Sequence, residues 1–229
     1  MANSDDNPIR LATPGDYMRA PLPTKDVIVL PSPRYPSTSF VQVLAARRSS
    51  ETLGPVTISD LGDWLFFTAS TQTINLEDSN RQRRFVASFG ALHPAHILLG
   101  FPNGPWFAYC PLKHCVGLLS VDERVSEQLR SKARLHCDCP DSTLVALLAD
   151  YDLVRNYYEH AHGLLLKDAG VLLGHAQIVA AALGLGFRIL GSTGAPELEQ
   201  LVSGLTFRTV ATGLAWIGAV GHEDHRTDL

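Results

Sequence analysis

The chain has 229 residues, 45% of them apolar, which allows one large domain or two small ones around a substantial core. Its formal net charge of -4 provides no basic surplus, which argues against nucleic acid and anionic membranes as main partners. The first residues are polar, unlike a signal peptide, and charged side chains interrupt the longest apolar run. We therefore expect a cytoplasmic protein without a membrane span.

The N-terminal segment is rich in proline and has no helical periodicity. Proline fixes φ and lacks a backbone N–H, so residues 1–36 are predicted to be extended chain that wraps a surface. Their only apolar anchor is residues 27–30. We predict an arm at 1–26, a single domain at 27–221 and a polar tail at 222–229.

Two helices are predicted in the first third of the domain. The first begins after Ser37 or Thr38 and ends near Arg48. The second begins after Thr57 or Ser59, because a hydroxyl at the N-cap can accept hydrogen bonds from the first backbone N–H groups.

The middle of the chain is predicted to alternate between loops, strands and a helix. The polar stretch 72–83 has no periodicity and is predicted to be a loop. Residues 97–101 and 106–109 are predicted to be strands joined by a Pro-Asn-Gly-Pro turn. A helix at about 120–133 precedes the apolar run 143–149, which is typical of a strand buried on both faces.

The last third contains the longest helix pattern. Residues 164–185 are apolar nearly all round a helix, which is typical of a helix buried in a core. The same helix could also contribute a subunit interface or support a cofactor. A short helix at 196–202 and a strand at 213–220 follow, so the order of elements predicts a mixed α+β fold around one sheet.

The cysteines do not match a common zinc pattern. Flanking histidines suggest a metal site, but structural zinc sites usually space their paired ligands by two to four residues in both halves. We expect reduced structural thiols and no metal. The four cysteines are Cys110, Cys115, Cys137 and Cys139.

Four stretches in a fixed order resemble a known family. The first is Leu30-Pro31 followed by Arg47-Arg48-Ser49, and the second is residues 56–61. The third is residues 84–94 (RFVASFGALHP), and the fourth is Tyr157 together with the long helix. Together they resemble the nitroreductase superfamily and, within it, the SagB/McbC-type azoline dehydrogenases, over about residues 27–218. The resemblance implies an α+β flavin-binding fold with a mostly antiparallel sheet wrapped by helices. It also implies a homodimer with FMN at the subunit interface.

By this resemblance, Arg47 and Ser49 bind the FMN phosphate or ribityl chain, with Arg48 close by. The chemistry is suitable, because guanidinium groups and a hydroxyl are good phosphate donors. Adjacent arginines could instead only favour a helix C-terminus. The family motif implies that Ala87, Ser88, Phe89 and Gly90 pass the flavin, with alanine replacing the usual proline. Gly191 lies where the family brings backbone to the flavin edge.

Two positions depart from the family pattern. Glu51 replaces an arginine that lies near the flavin edge where negative charge develops, so it would lower the reduction potential or weaken flavin binding. Asn156 replaces the lysine before Tyr157, and in the family those two residues assist deprotonation of the azoline. An asparagine amide cannot act as a base. Tyr157 could still donate or accept, and His160 could substitute as base if 151–162 is helical, or be structural.

Three functions remain open at this point. The leading one is FMN-dependent oxidation of an azoline-like or related group on a small-molecule or modified-peptide substrate in peptide natural-product biosynthesis, either alone or with a partner biosynthetic enzyme. The second is an NAD(P)H-dependent nitro or quinone reductase, which needs no dedicated base. The third is an inactive scaffold that binds a peptide or a partner enzyme.

Overall fold

The computed structural model describes residues 7–221. Residues 1–6 of the predicted arm and the predicted tail 222–229 lie outside the described residues.

The described chain alternates short strands with helices. The strands are β1 Ile9–Arg10, β2 Thr24–Val29, β3 Leu53–Gly54, β4 Thr71–Ile74, β5 Gln82–Arg84, β6 Ala95–Gly100, β7 Trp106–Cys110, β8 Cys115–Leu119, β9 Thr143–Asp150, β10 Tyr158–Glu159, β11 Leu185–Ile189 and β12 Thr209–Val220. The α-helices are α1 Phe40–Ala46, α2 Ile58–Ala69, α3 Glu123–His136, α4 Tyr151–Arg155, α5 His162–Ala182 and α6 Glu197–Leu201. A 3₁₀ turn covers Phe89–Ala91.

The central sheet has the strand order β11-β12-β9-β6-β7-β8-β2, with β3 beside the end of β12. Its strand pairs are antiparallel, which confirms the predicted α+β fold with an antiparallel central sheet. The predicted doubly buried strand is β9, whose residues are all buried. Leu144, Ala146 and Leu148 point into one core, and Val145 and Leu147 into the other.

Helices cover both faces of the sheet. The core that contains Val145 and Leu147 also contains buried side chains of α2 and α5, whereas the opposite core contains those of α3 and α6. The indole Nε1 of Trp64 on α2 donates to the carbonyl of Ala176 on α5 at 3.0 Å. This hydrogen bond joins the two helices inside the core.

Three sequence predictions of local structure were wrong in detail. The predicted loop is confined to residues 75–81, and its flanks 72–74 and 82–83 belong to β4 and β5, because polar side chains on a surface ladder leave no apolar periodicity to detect. The first helix is capped by Ser39, which forms a capping box with Gln42, and it ends at Ala46. Between Tyr151 and Ala161, only Tyr151–Arg155 is α-helical.

The long helix is confirmed as α5, but one side of it is exposed. About half of its residues are buried, many of them in the core shared with α2 and the sheet, which identifies it as a core helix although its length and composition would also suit a membrane span. Leu166 and Val171 are 42% and 48% exposed. Gly170 and Gly174 lie on the same stripe, and an added Cβ there would meet open space. This exposed stripe carries two large apolar side chains against which another protein surface could pack.

The N-terminal arm packs on its own chain. Strand β1 pairs with β10, and β2 pairs with β8 as the edge strand of the central sheet, so the arm joins that sheet at Thr24. The hydroxyl of Tyr17 donates to Asp150 at 2.7 Å. The guanidinium of Arg19 donates to the carbonyls of His93, Leu92 and Asn80.

We predict that Trp64→Phe lowers the free energy of unfolding by about 1–3 kcal/mol, because it removes a buried hydrogen bond and indole volume. Urea denaturation followed by circular dichroism measures this loss. The control is Ile58→Ala on the same helix, where the side chain is 44% exposed and the expected change is within about 0.5 kcal/mol. Equal midpoints for Trp64→Phe and the unaltered protein would contradict the assignment of this contact.

Candidate functional site

The arginine segment begins where α1 ends. Arg47 is the C-cap of α1 in an extended conformation, with its backbone N–H bonded to the carbonyl of Val43. The side chains of Arg47, Arg48 and Ser49 are exposed. Gln177 on α5 accepts from Arg47 Nη1 at 3.4 Å and donates to Ser49 Oγ at 3.3 Å. Within residues 7–221, neither arginine forms a salt bridge, so both guanidinium groups are available to an anion.

The segment Ala87-Ser88-Phe89-Gly90 is held by a different residue of α5. The carboxylate of Asp168 lies beside the Ser88 hydroxyl and the Phe89 backbone N–H, and both groups act to lower its pKa. Ser88 Oγ also accepts from the backbone N–H of His93 at 2.8 Å. The Ser88 hydroxyl is thus engaged within the chain, and the Phe89 ring packs edge-on against Tyr158 at 5.6 Å between centroids.

Gly90 adopts a left-handed conformation, with φ of 56°. Its carbonyl accepts from Arg81 Nη1 at 2.8 Å. A Cβ at this position would lie 3.0 Å from the hydroxyl of Tyr158, so the close packing and the positive φ both favour glycine.

These two segments lie on opposite sides of α5. Asp168 and Gln177 are nine residues apart, which is about two and a half helical turns and about 13 Å along the axis. The extra half turn directs the two contacts to opposite sides of the helix. The structure therefore does not bring Arg47–Ser49 and Ala87–Gly90 together at one place within a single chain.

Asp168 is a site residue that the sequence analysis did not identify. Burial raises its pKa to about 6, while hydrogen bonds from Ser88 and the Phe89 backbone act in the opposite direction. The signal in the sequence was Asp168 itself, a carboxylate within an otherwise largely apolar helix. Such a carboxylate needs a specific hydrogen-bond partner in the fold.

His93 supports the same segment from the other side. It is buried, and its Nε2 donates to the carbonyl of Gln82 at 2.9 Å. Burial and, next, the charge of Arg84 lower its pKa to about 3. The imidazole is therefore neutral around pH 7 and positions the strand β5 beside the segment.

The Asn156 side chain holds the N-terminal arm through two hydrogen bonds. Its Nδ2 donates to the carbonyl of Gly15 at 3.0 Å, and its Oδ1 accepts from the backbone N–H of Tyr17 at 3.3 Å. This use of both ends of an amide gives a physical reason for asparagine in place of lysine, because a lysine has no acceptor. A Cβ on Gly15 would lie 2.5 Å from Oδ1, so the fit is close.

Tyr157 is buried, with 3% of its surface exposed. Its hydroxyl donates to the carboxylate of Asp78 at 2.8 Å and accepts from Asn80 Nδ2 at 3.2 Å. Arg81 lies 4.9 Å from the centre of its ring. Burial is the main reason that its pKa is raised, so the phenol is neutral and serves to hold the loop between β4 and β5.

The helical relation between Tyr157 and His160 does not exist. A turn and the short strand β10 separate α4 from α5, and His160 has φ of 53°. His160 is exposed. The shared helical face required residues 151–162 to be helical, and this condition is not met because the helix ends at Arg155.

Glu51 and Gly191 are both exposed. The backbone carbonyl of Glu51 lies 3.7 Å from Cys137 Sγ and 3.8 Å from Cys139 Sγ. Gly191 follows β11, and an added Cβ there would meet no atom within 4 Å. Arg188 on β11 donates to the carbonyl of Ser50 at 3.3 Å, which links the end of β11 to the arginine segment.

The four cysteines are free thiols in two pairs. Cys110 and Cys115 are opposite each other on β7 and β8, and the Sγ atoms of Cys137 and Cys139 are 3.3 Å apart. Burial raises the pKa of Cys139 to about 12, so its thiolate is disfavoured. Within residues 7–221, no cluster of His, Cys, Asp and Glu could hold a metal ion.

Comparison with known proteins identifies the fold. No family model matches the sequence, and no curated protein matches it. A solved structure assigned as a nitroreductase from Ralstonia eutropha superposes with a TM-score of 0.60 at 17% identity, covering 91% of this chain and 97% of that one. The chain has the nitroreductase fold.

Two further structures extend the comparison. A chain of the E. coli microcin synthetase McbBCD complex, solved with truncated pro-MccB17 bound, gives a TM-score of 0.57 at 15% identity, over 90% of this chain and 71% of that one. A structure assigned as an NADH oxidase from Clostridium acetobutylicum gives 0.51 at 13% identity, over 79% and 88%. The nitroreductase fold thus occurs in proteins that differ in their named activities.

We predict that Asp168 makes the stability of the protein fall as pH rises from about 4 to about 6. Its pKa is about 6 in the folded protein and near its ordinary value of 3.8 in the unfolded chain, so the folded state binds the proton more tightly in this interval. Relative to Asp168→Asn, which does not titrate, the unaltered protein should lose on the order of 2 kcal/mol across it.

Urea denaturation of both proteins at pH 4, 5, 6 and 7 measures this difference. The comparison cancels the opposite pH dependence of His93 and His96, which both proteins share. A difference in unfolding free energy that stays constant with pH would contradict the assigned environment of Asp168.

Proposed function

We propose that this protein is an FMN-dependent oxidoreductase that works as a homodimer with the cofactor between the subunits. The supporting observation is the position of the two predicted flavin-binding segments on opposite sides of α5. A single FMN can contact both kinds of segment when one chain supplies Arg47–Ser49 and a second copy supplies Ala87–Gly90. These residues were identified by the sequence resemblance to nitroreductases, and the nitroreductase fold of the chain is consistent with this arrangement.

The arginine segment fits a phosphate. Two exposed guanidinium groups without carboxylate partners stand beside a serine hydroxyl at the end of a short helix. Guanidinium forks match phosphate oxygens and form charge-assisted hydrogen bonds. FMN, when bound, would supply the hydride acceptor and donor, while these residues hold its phosphate. Glu51 on the same segment adds a negative charge, which favours a low reduction potential.

The exposed side of α5 fits a second copy of the chain. Leu166 and Val171 project from it, and the open glycines Gly170 and Gly174 allow the close approach of another helix. Exposed apolar side chains on α1 extend this surface, namely Phe40, Val41 and Leu44. Contact through this face would bring the two binding segments of different subunits together.

Among the possible reactions, the geometry favours hydride transfer from a reduced nicotinamide to an oxidised acceptor. Dehydrogenation of an azoline needs a base at Asn156-Tyr157, but the Asn156 amide is bonded to the arm and Tyr157 is buried and bonded to Asp78. Reduction of a nitro or quinone group needs no such base. We place this activity in the cytoplasm, in accord with the composition.

Azoline oxidation in peptide natural-product biosynthesis is the second candidate. The order of the sequence motifs and the likeness to a chain of the McbBCD complex support it. In this case the substrate would be a modified peptide, and a partner biosynthetic enzyme would be expected. Asp168, whose pKa is raised to about 6, would be a carboxylate beside the segment Ala87–Gly90.

We predict that Arg47→Ala weakens FMN binding by about tenfold to a hundredfold, because a charge-assisted hydrogen bond to phosphate contributes about 1.5–3 kcal/mol. Quenching of FMN fluorescence during titration of the apoprotein measures the dissociation constant. The control is Arg124→Ala, which removes an exposed arginine on α3. Equal affinities for the Arg47 variant and the control would contradict the phosphate site.

We predict that NADH or NADPH bleaches the visible absorbance of the FMN-loaded protein under anaerobic conditions. Asn156→Lys should not raise the rate, because the bleaching requires no base at this position. Failure of both nicotinamides, together with bleaching by an azoline peptide, would establish the second candidate instead. A protein that binds FMN but is bleached by neither class of donor would be a scaffold.

A further inference from the structure

A cavity of about 460 Å³ lies between the arm and the central sheet. The arm residues 19–27 cover it, and His96, Ala108 and Gly117 on strands β6, β7 and β8 form its floor. Its size is that of pockets that enclose small organic ligands. Arg47, Arg48 and Ser49 do not line it, so it is separate from the proposed phosphate site.

The charged residues that line this cavity are all cationic. They are Arg19, Arg84 and Lys113, and no aspartate or glutamate of residues 7–221 lines it. Arg84 forms no salt bridge within the described chain, and its hydrogen bonds go from Nε and Nη2 to the neutral side chain of Gln82, at 3.3 and 2.8 Å. Its Nη1 group makes no hydrogen bond to the part of the chain that the structure describes.

Arg84 is a buried cation in an unfavourable environment. Burial lowers its pKa to about 9, and the like charge of Arg19 acts in the same direction. Asp168 raises the pKa through space without contacting the guanidinium. The side chain nevertheless keeps some accessible surface, and that surface faces the cavity that it lines. An anion in the cavity would relieve the uncompensated charge.

The remaining walls are mostly apolar. They include Leu22, Ala95, Pro111 and Leu112, with backbone and ring surface of Tyr109. A purely inorganic anion would leave this apolar surface unused. A ligand with one acidic group and an apolar body matches both parts of the wall.

We propose that this cavity binds an organic carboxylate with an apolar body, and that Arg84, assisted by Arg19, pairs with its acid group. A guanidinium fork matches a carboxylate in two parallel hydrogen bonds. The proposal does not depend on the proposed oxidoreductase activity. Arg84 also lines the narrow cleft with Ala87 and Asp168, so an acid held there lies next to the segment assigned to the flavin.

Isothermal titration calorimetry tests this proposal with a panel of 3-phenylpropionate and straight-chain carboxylates from butanoate to decanoate. Each acid is compared with its neutral amide, and inorganic phosphate is the probe without an apolar body. FMN is present throughout, so that the acids do not occupy the cofactor phosphate site. We expect at least one acid to bind about tenfold or more tightly than its amide, with phosphate weaker than that acid.

Two pairs of variants locate the site. Arg84→Gln should weaken binding of the acid about tenfold or more, whereas Arg124→Gln on the surface of α3 should not. Leu112 is 57% exposed at the cavity, so Leu112→Asp should fold and should weaken binding relative to Leu112→Asn by repelling the acid.

Each contrary result overturns the proposal. These results are equal affinities for acids and amides, no binding by any acid of the panel, and phosphate binding more tightly than every acid. An unchanged affinity in both Arg84→Gln and Leu112→Asp has the same consequence. If Arg84→Gln does not fold, the comparison of Leu112→Asp with Leu112→Asn decides.

Discussion

The packing of α5 against the sheet determines what the rest of the molecule can do. Asp168 and Gln177 each hold one predicted flavin-binding segment, and the half turn between them sets those segments on opposite sides of the helix. The stripe between Leu166 and Gly174 is left open. In the proposed function, a site built from both segments requires two copies of the chain, so dimerisation and cofactor binding become one requirement.

The arm adds a second constraint. Asn156 uses its amide to hold Gly15 and Tyr17, and Arg19 donates to the backbone carbonyls of Leu92 and His93. These contacts hold the arm over the sheet and enclose the cavity that Arg84 faces. Asn156, which stands where the family has a lysine, is thus explained by its hydrogen bonds to the arm. Asparagine in place of lysine at position 156 removes a candidate base, and it also holds the arm that forms one wall of the cavity lined by Arg84.

The sequence predicts the elements that have an apolar pattern and the motifs that have a fixed order. The strand β9, the helices α2 and α5 and the antiparallel α+β fold were confirmed, because burial on a sheet leaves a periodic signal. The hairpin of β4 and β5 was missed because its residues are mostly polar. The role of Asn156 depends on a contact with Gly15, 141 residues away, and the roles of Asp168 and Arg84 depend on burial. No local pattern contains such information.

The most direct test of this account is the FMN content of a mixed dimer. One chain carries Arg47→Glu with Arg48→Glu, and the other carries Ala87→Trp, which obstructs the exposed start of the second segment. The two chains have different affinity tags, so that the heterodimer can be purified. Each variant homodimer should bind no FMN, whereas the heterodimer should bind about one FMN per dimer, because one composite site is intact. A heterodimer without FMN would contradict the account, since it would mean that each site is built from one chain alone.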